Sequence, residues 1–388
     1  MNLVLFDTAD RNLLYPFTQT RPIADIRIGI FTIREFWEDY FKQGSHSITE
    51  KYLQDKFPPP PGNEILLINP ALVPTNEFLN EIGFLQNEEA IVQEGIVLAA
   101  KTMKYNNWSI ADIKSNLFLK LKSLTEAVKF LTYPWQIFQW NDNAIRNDFS
   151  IITKGRASAS LSSTNQYISP ENIFIEEGAK AEYSILNGST GPIYIGKNCE
   201  VMEGCMIRGP FAMLDRSILK MGAKIYGATT LGPGCMAGGE IKNSILFGHS
   251  NKAHDGYLGD SVIGEWCNLG AGTSNSNLKN TAGVVNVWHN ASGEYLPVGI
   301  KCGLIMGDYS RSAINASFNT GTITGVCSNI FGDGLLPKYI PDFTWGTSHA
   351  KRYELEKAFL DIHNWEQLKN QSLSNHDKNI LKHIFDQL

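Results

Sequence analysis

The sequence contains no run of eighteen apolar residues, which argues against a membrane-spanning helix, and no excess of positive charge. The apolar stretch before Asp7 is shorter than the apolar region of a secretory signal peptide. A formal net charge of −5 argues against nucleic acid or an anionic membrane as a general partner. We therefore expect a cytoplasmic protein that binds any phosphate through locally placed cations.

The sequence also lacks a C-x-x-C pair, the commonest spacing of zinc and redox sites. Several of its six cysteines occupy positions of a repeat where a small buried side chain would fit. We interpret them as reduced core thiols and expect no metal site. These cysteines are Cys199, Cys205, Cys235, Cys267, Cys302 and Cys327.

Residues 1–150 have the pattern of an α/β domain. The apolar runs at 1–6 and 64–69 suit buried parallel strands, and residues 31–43 and 116–131 carry apolar side chains at helical spacing. Residues 133–149 predict a helix that leads out of the domain.

A six-residue rhythm governs residues 156–345. Apolar residues recur at every sixth position from Ile195 to Ala237, and glycine often follows an apolar residue in this region. Neither an α-helix nor a plain strand places every sixth residue at an equivalent site, so the rhythm predicts a parallel β-helix of hexapeptide repeats. A β-sandwich with incidental glycines is the alternative. Because the count breaks after Ala237, we expect a loop to leave the coils between Asn243 and Leu258.

Residues 346–388 carry apolar side chains at amphipathic helical spacing and predict a short C-terminal helical extension.

The stretch EIKNSILFGHSNKAHDGYLGDSVIGEWCNLGAGTSNSN, residues 240–277, carries a specific resemblance. It closely resembles the acetyltransferase half of the family that joins a glucosamine-1-phosphate acetyltransferase to a UDP-N-acetylglucosamine pyrophosphorylase. The resemblance implies a left-handed parallel β-helix, a homotrimer with active sites between subunits, and acetyl-CoA as co-substrate.

Acetyl transfer from a thioester to a sugar amine requires a base for the amine proton and donors for the developing oxyanion. The resemblance makes His254 the base, and an imidazole is mostly neutral at cytoplasmic pH. It places the Glu240 carboxylate near that histidine, where a bond to the far ring nitrogen would fix the tautomer. The backbone N–H of Ala271 would face the acetyl carbonyl.

The remaining motif residues are expected to hold the two substrates. Lys242 and Tyr257 match positions that bind the sugar phosphate, and Asn268 matches one that bonds the sugar. Gly272 and Asn277 would lie beside the coenzyme. The sequence departs from the family at Leu278, which replaces a tyrosine, and in the loop 279–299.

Residues 15–29 resemble the strand-loop of sugar nucleotidylyltransferases, but the reactive parts differ. No glycine occurs before Gly29, Ile23 replaces the expected lysine, and Asn69 stands where a magnesium-binding aspartate should be. Arg11 and Arg21 are candidate nucleotide-phosphate ligands, although each could equally be solvated or salt-bridged. We expect a reduced nucleotidylyltransferase-like fold whose activity is lost or altered, with Mg²⁺ needed only if nucleotidylyl transfer persists.

Three functions remain open at this point. The first is an N-acetyltransferase acting on a hexosamine phosphate, with glucosamine 1-phosphate as the implied acceptor. The second is a fully bifunctional enzyme that also forms a UDP- or dTDP-sugar from a nucleoside triphosphate. The third is a non-catalytic trimeric protein that binds a nucleotide sugar or serves as a scaffold.

Overall fold

The computed structural model describes residues 1–160, 162–347 and 349–388. The N-terminal part contains a mixed sheet with the strand order Ser45–Ile48, Asn2–Phe6, Ile65–Ile68, Ile96–Thr102, Glu89–Gln93, Lys120–Ser123. The first three strands are parallel, and the apolar runs predicted two of them, Asn2–Phe6 and Ile65–Ile68, but not Ser45–Ile48. Ile96–Thr102 runs antiparallel to both neighbours. Leu3 and Leu5 pack into one apolar cluster and Val4 and Phe6 into another, so both faces of the first strand are buried.

Three helices accompany this sheet: α1 (Ile33–Phe41), α2 (Asn76–Ile82) and α3 (Gln136–Ile152). The helix predicted over 116–131 is wrong, because the chain there forms the edge strand Lys120–Ser123 and the short strand Lys129–Phe130, which pairs with Leu72–Val73. Leu119 and Leu121 are 77% and 54% exposed, so this segment has no buried helical face.

The following part is a parallel β-helix with three flat faces, as the repeat predicted. The first face consists of Ile173–Ile175, Ile193–Ile195, Phe211–Met213, Thr229–Leu231, Ile245–Leu246, Val262–Ile263, Leu304–Met306, Thr322–Thr324 and Tyr339–Ile340. The second face consists of Lys180–Ala181, Glu200–Val201, Ile218–Leu219, Met236–Ala237, Asn251–Lys252, Asn268–Leu269, Arg311–Ser312, Asn329–Ile330 and Thr344–Trp345, with Lys351–Arg352 antiparallel at its end. The third face consists of Gln166–Ile168, Ile185–Asn187, Met206–Arg208, Lys224–Tyr226, Glu240–Lys242 and Tyr257–Gly259, and beyond it Ser274–Asn275 pairs with Ser317–Phe318.

The repeat positions fill the interior of the β-helix. The apolar residues at every sixth position are between 0% and 2% exposed: Ile195, Val201, Ile207, Met213, Leu219, Ile225, Leu231 and Ala237. The six cysteines are free and buried as well.

The prediction of a loop between Asn243 and Leu258 is wrong, because this segment forms a regular turn of the β-helix with a strand on each face. The count breaks for a different reason. Ile207 pairs with Ile225, 18 positions on, whereas Ile225 pairs with Ile241, 16 positions on, and Leu231 with Leu246, 15 positions on. The corners on both sides of Glu240–Lys242 are therefore short. The chain leaves the coils later, in residues 276–303, which form the hairpin Val285–His289 and Glu294–Gly299.

Other elements cover two of the three faces. The N-terminal domain and the hairpin pack on the first face, where the rings of Phe17 and Phe247 lie 5.2 Å apart. The second face carries α4 (Leu355–Gln367) and α5 (Asn375–Asp386), and the guanidinium of Arg311 lies 5.6 Å from the Trp365 ring. Side chains of the third face remain exposed, among them Met206 at 45%. No helix in the described part of the chain is both long and apolar enough to span a bilayer.

Candidate functional site

The third face gathers three of the residues that the sequence singled out. Glu240 lies directly opposite Tyr257 in parallel register, and Lys242 follows two positions later on the same strand. The intervening Ile241 and Leu258 are fully buried, so strand alternation turns Glu240, Lys242 and Tyr257 to the outside. The result is a polar group on the face that the other elements leave uncovered.

Tyr226, from the preceding coil, completes one half of this group. Its hydroxyl donates a 2.5 Å hydrogen bond to the Glu240 carboxylate, and its ring lies 5.8 Å from the Lys242 ammonium. The hydrogen bond to Glu240, more than burial, raises the pKa of Tyr226 to about 12. The phenol therefore remains a neutral donor at physiological pH.

Asn277 and Asp260 form the other half. The Asn277 side-chain amide donates to the Tyr257 hydroxyl at 3.1 Å and to the Asp260 carboxylate. Asp260 is 4% exposed and also accepts a 2.7 Å bond from Asn243. Burial, followed by the charge of Asp260, raises the pKa of Tyr257 well above its usual value. Tyr226 and Asp260 were not predicted from the sequence, although the Gly259-Asp260 pair shortly after Tyr257 could have indicated Asp260.

His254 lies on the turn between the second and third faces, residues 253–256, which we call the His254 corner. Its side chain is exposed. The expected pairing of Glu240 with this imidazole is not found: the carboxylate bonds to Tyr226, and no hydrogen bond joins it to His254 among the described residues. Glu240 projects from the flat face, whereas His254 occupies the corner of the next coil. Their backbones are nevertheless close, because the Glu240 N–H donates a 3.2 Å bond to the Gly256 carbonyl and a Cβ on Gly239 would come within 2.9 Å of the His254 carbonyl oxygen.

The turn that holds Ala271 and Gly272, residues 270–273, stacks directly on the His254 corner and is called the Gly272 corner below. The Gly272 N–H donates a 3.1 Å bond to the Asp255 carbonyl, and the Ala271 carbonyl accepts a 2.7 Å bond from the Asn315 N–H. Gly272 has φ of +72°, and a Cβ there would lie 2.1 Å from the Asn315 side-chain oxygen. The positive φ favours glycine at this position, and a larger residue would also press against the Asn315 side chain.

Asn268 does not join this group. It lies on the second face, in register with Asn251 on one side and Arg311 on the other. Asn251 accepts a 3.0 Å bond from the ammonium of Lys369, and Arg311 faces Trp365 of α4. Asn268 therefore belongs to the face that the C-terminal segment covers.

Arg11, a candidate phosphate ligand, is buried and already bonded within the N-terminal domain. Its guanidinium pairs with Asp7 at 3.0 Å and donates to the carbonyls of Thr18 and Arg21. This network ties the chain after the first strand to the segment that resembles a phosphate-binding loop.

Arg21, the other candidate, joins the N-terminal domain to the β-helix. Its side chain is 6% exposed and pairs with the 2%-exposed Asp308 and, at 3.2 Å, with Glu265. The adjacent Thr20 hydroxyl donates a 2.5 Å bond to the same Asp308 carboxylate. Nearby, Gln19 donates a 3.0 Å bond to another β-helix carboxylate. The nucleotidylyltransferase-like segment is therefore bonded to β-helix corners.

The N-terminal residues fit a magnesium ion poorly. The Asn69 side-chain oxygen accepts a 3.0 Å bond from the Ala71 N–H, and the buried Asp7 carboxylate is occupied by Arg11, Thr49 and the Ile23 N–H. The described residues contain no cluster of three or more His, Cys, Asp or Glu side chains that could hold a metal ion.

Comparisons with known proteins find similarity over parts of the chain. Residues 3–157 match the family described as sugar nucleotidyl transferase. The bifunctional protein GlmU of Thermus thermophilus is 31% identical over 139 residues, covering 28% of this chain and 29% of that protein. GlmU of Methanocaldococcus jannaschii is 37% identical over 86 residues, covering 22% and 21%. The matches thus span under a third of these relatives' length.

Among solved structures, LpxA of Bacteroides fragilis, a UDP-N-acetylglucosamine acyltransferase, shares 15% identity at a TM-score of 0.22. The match covers 58% of this chain and 97% of LpxA. This loose overlap carries no weight beside the strand pairing described above. The chain is thus similar to the sugar nucleotidyl transferase family over residues 3–157 and to GlmU proteins over about a quarter of its length.

Proposed function

We propose that this protein is an acetyl-CoA-dependent N-acetyltransferase whose acceptor is a hexosamine phosphate, with glucosamine 1-phosphate the first acceptor to test. The observation that carries the proposal is the direct hydrogen bond from Gly272 to Asp255, which joins the turn assigned to the coenzyme to the corner that bears His254. The polar third face lies beside both. The resemblance of residues 240–277 to the acetyltransferase family supports the same reaction.

His254 would act as the general base. As the acceptor nitrogen attacks the thioester carbonyl carbon, the imidazole takes the amine proton; when the C–S bond breaks, the same proton passes to the leaving thiolate. An exposed ring on a glycine-bearing corner is accessible to an amine. The backbone N–H of Ala271 has no acceptor among the described residues, which leaves it free to bond the oxyanion.

The third face would hold the sugar phosphate. The Lys242 ammonium is the cation of this group. The neutral Tyr257 hydroxyl, which accepts a bond from Asn277, can donate its own proton to a phosphate oxygen. Asn277 is fixed by Asp260 next to Tyr257, so we assign it to the junction between sugar and coenzyme. Asn268 keeps its proposed sugar contact only if the sugar reaches the second face.

We further propose that the chain forms a homotrimer with its sites between copies. Large apolar side chains are exposed on the third face and along the corner between the second and third faces: Tyr183 at 67%, Met221 at 71%, Ile314 at 68% and Met206 at 45%. Such a stripe marks an interface in a soluble assembly. Sedimentation equilibrium is expected to give three times the 43.2 kDa chain mass, and a monomer would contradict the proposal.

Nucleotidylyl transfer is the second candidate, and the pairing of Arg11 with Asp7 and of Arg21 with Asp308 disfavours it. Magnesium-dependent release of pyrophosphate from UTP and a sugar phosphate would restore it. A non-catalytic binding or scaffolding role is the third candidate. The proposed site of action is the cytoplasm, where acetyl-CoA is available.

The test of the proposal is release of thiol from acetyl-CoA in the presence of single amino sugars and their phosphates, with the product identified by mass. We expect glucosamine 1-phosphate to accelerate thiol release and to gain one acetyl group on nitrogen. Matched reactions with the N-acetylated sugar phosphate, which has no free amine, are expected to stay at background. If no amine accelerates release although acetyl-CoA binds, the binding or scaffolding role is favoured.

A further inference from the structure

Lys252 is a buried lysine inside the β-helix. Its residue is 1% exposed and occupies an inward position of the second face, in register with the fully buried Ala237 of the preceding coil. The next inward residue on this face is Leu269, 2% exposed. An ammonium group in an apolar column is unfavourable unless hydrogen bonds compensate for lost hydration.

The ammonium finds its partners at the back of the His254 corner. It donates to the carbonyl oxygen of His254, to that of Asp255 at 3.2 Å and, more weakly, to that of Gly238 at 3.4 Å. The Asp255 carbonyl also accepts the Gly272 N–H. Two donors, one from inside the core and one from the next coil, therefore hold the peptide groups that carry the imidazole.

The other contacts of the His254 corner fix its second half, not the carbonyl that Lys252 binds. Gly256 has φ of +117°, and a Cβ there would lie 2.1 Å from the Thr273 carbonyl oxygen. The Tyr257 N–H is bonded to the Ser274 hydroxyl at 3.1 Å. Residues 256–257 are thus fixed from the Gly272 corner, whereas the His254 carbonyl is bonded from inside by Lys252.

We propose that Lys252 is a positioning residue for acetyl transfer: from within the core, its ammonium fixes the backbone of His254 and Asp255, and so sets the imidazole relative to the amine and the Gly272 corner. This inference rests on the proposed function. It assigns no contact with either substrate to Lys252 itself.

A purely stabilising role does not explain this lysine. Burial lowers the pKa of Lys252 to about 8, so its positive charge opposes folding at neutral pH. An apolar side chain, as at Ala237 and Leu269, would fill the column without that penalty. A charged group at such an unfavourable site is consistent with a functional need to hold the backbone of the His254 corner.

The test replaces Lys252 by methionine, which keeps an unbranched chain and removes the donor. Lys369→Met is the matched control. Lys369 is also partly buried, and its ammonium also binds two backbone carbonyls, those of Gly234 and His249, each at 2.8 Å, at a different corner. We expect Lys252→Met to lose roughly 10- to 100-fold in kcat, with KM changed less than about threefold. Lys369→Met is expected to keep kcat within about twofold.

Two further measurements separate positioning from folding. Lys252→Met is expected to keep a urea midpoint equal to or above that of the wild type. The backbone amides of Gly272 and Glu240, which donate to the Asp255 and Gly256 carbonyls, are expected to exchange hydrogen faster while other coils are unchanged. Lys252→Gln, which retains a neutral N–H donor, is expected to recover part of kcat.

Hydrogen exchange needs no turnover, so it tests Lys252 even if the wild type transfers no acetyl group and the proposed function fails. The inference is overturned if Lys252→Met keeps wild-type kcat and wild-type exchange of the Gly272 and Glu240 amides, which are bonded to the His254 corner. It is also overturned if Lys252→Met and Lys252→Gln both unfold at much lower urea, because that result assigns the lysine to stability alone.

Discussion

Replacing Arg21 by methionine should weaken the contact between the N-terminal domain and the β-helix more than the loss of an exposed ion pair would. The Arg21 and Asp308 side chains are 6% and 2% exposed, so each is the other's main compensation for lost hydration. Methionine keeps much of the apolar volume of arginine and removes the charge. Asp308 would then retain only neutral donors, the Thr20 hydroxyl and the Glu265 N–H.

Removing one partner of a buried ion pair destabilises by about 3–5 kcal/mol, because the remaining charge stays buried without compensation. We expect a loss of that size in the unfolding free energy of Arg21→Met near neutral pH. Burial already raises the pKa of Asp308 in the intact protein, and loss of Arg21 should raise it further. The deficit should therefore shrink in acid, as Asp308 becomes protonated in the folded state.

Urea denaturation followed by tryptophan fluorescence measures this loss, and two variants control it. Arg21→Met combined with Asp308→Asn should recover to within about 1 kcal/mol of the wild type, because the one carboxylate left without Arg21 is that of Glu265, whose side chain is 37% exposed to water. Arg146→Met removes an exposed pair with Asp142 and should change stability by less than about 1 kcal/mol. A loss below about 1 kcal/mol for Arg21→Met, or a double variant as unstable as the single one, would refute the reasoning.

Two further predictions concern a buried acid and a constrained glycine. Asp148 accepts the N–H groups of Ile30 and Phe31, and burial raises its pKa to about 7. Its ionisation therefore destabilises the fold increasingly between its unfolded pKa near 3.9 and about pH 7, by roughly 4 kcal/mol above that range. Asp148→Asn should exceed the wild type in urea midpoint at about pH 8 and lose this advantage towards about pH 5; a constant difference would contradict the assignment. Gly272→Ala places a Cβ against Asn315 at positive φ and should cost roughly 1–3 kcal/mol and lower kcat about tenfold or more; an alanine variant with wild-type kcat would contradict the stacked-corner site.

The sequence was most informative where one rule repeats. Every sixth residue from Ile195 to Ala237 is buried because each turn of the β-helix has one inward position per face. Regularly spaced inward positions require regularly spaced apolar residues, which the sequence shows directly. The first strand was predictable for a related reason, since burial on both sides requires a continuous apolar run. The short coil between Ile225 and Ile241 broke the count, and the sequence gives no means to distinguish a shortened corner from an exit loop.

The candidate site was less predictable because its contacts join separate coils. The motif brought Glu240 and Tyr257 to one face, but the bond from Tyr226 to Glu240 depends on the coil length between them. Lysine is usually a surface residue, so the sequence alone does not indicate that Lys252 is buried. Only the register of the second face turns it inward. Arg21 likewise matched a phosphate-loop pattern, whereas its partner Asp308 lies far along the chain.

The most direct test of the central claim is the rate of thiol release from acetyl-CoA by His254→Ala, measured with a saturating amino-sugar acceptor. His363→Ala, an exposed histidine on α4, is the matched control. A positioned general base typically contributes about 10²- to 10⁴-fold, so His254→Ala should lose that factor in kcat while its urea midpoint and the control rate stay unchanged. A variant without the imidazole that keeps a rate near that of the wild type would contradict the assignment of His254 as the base.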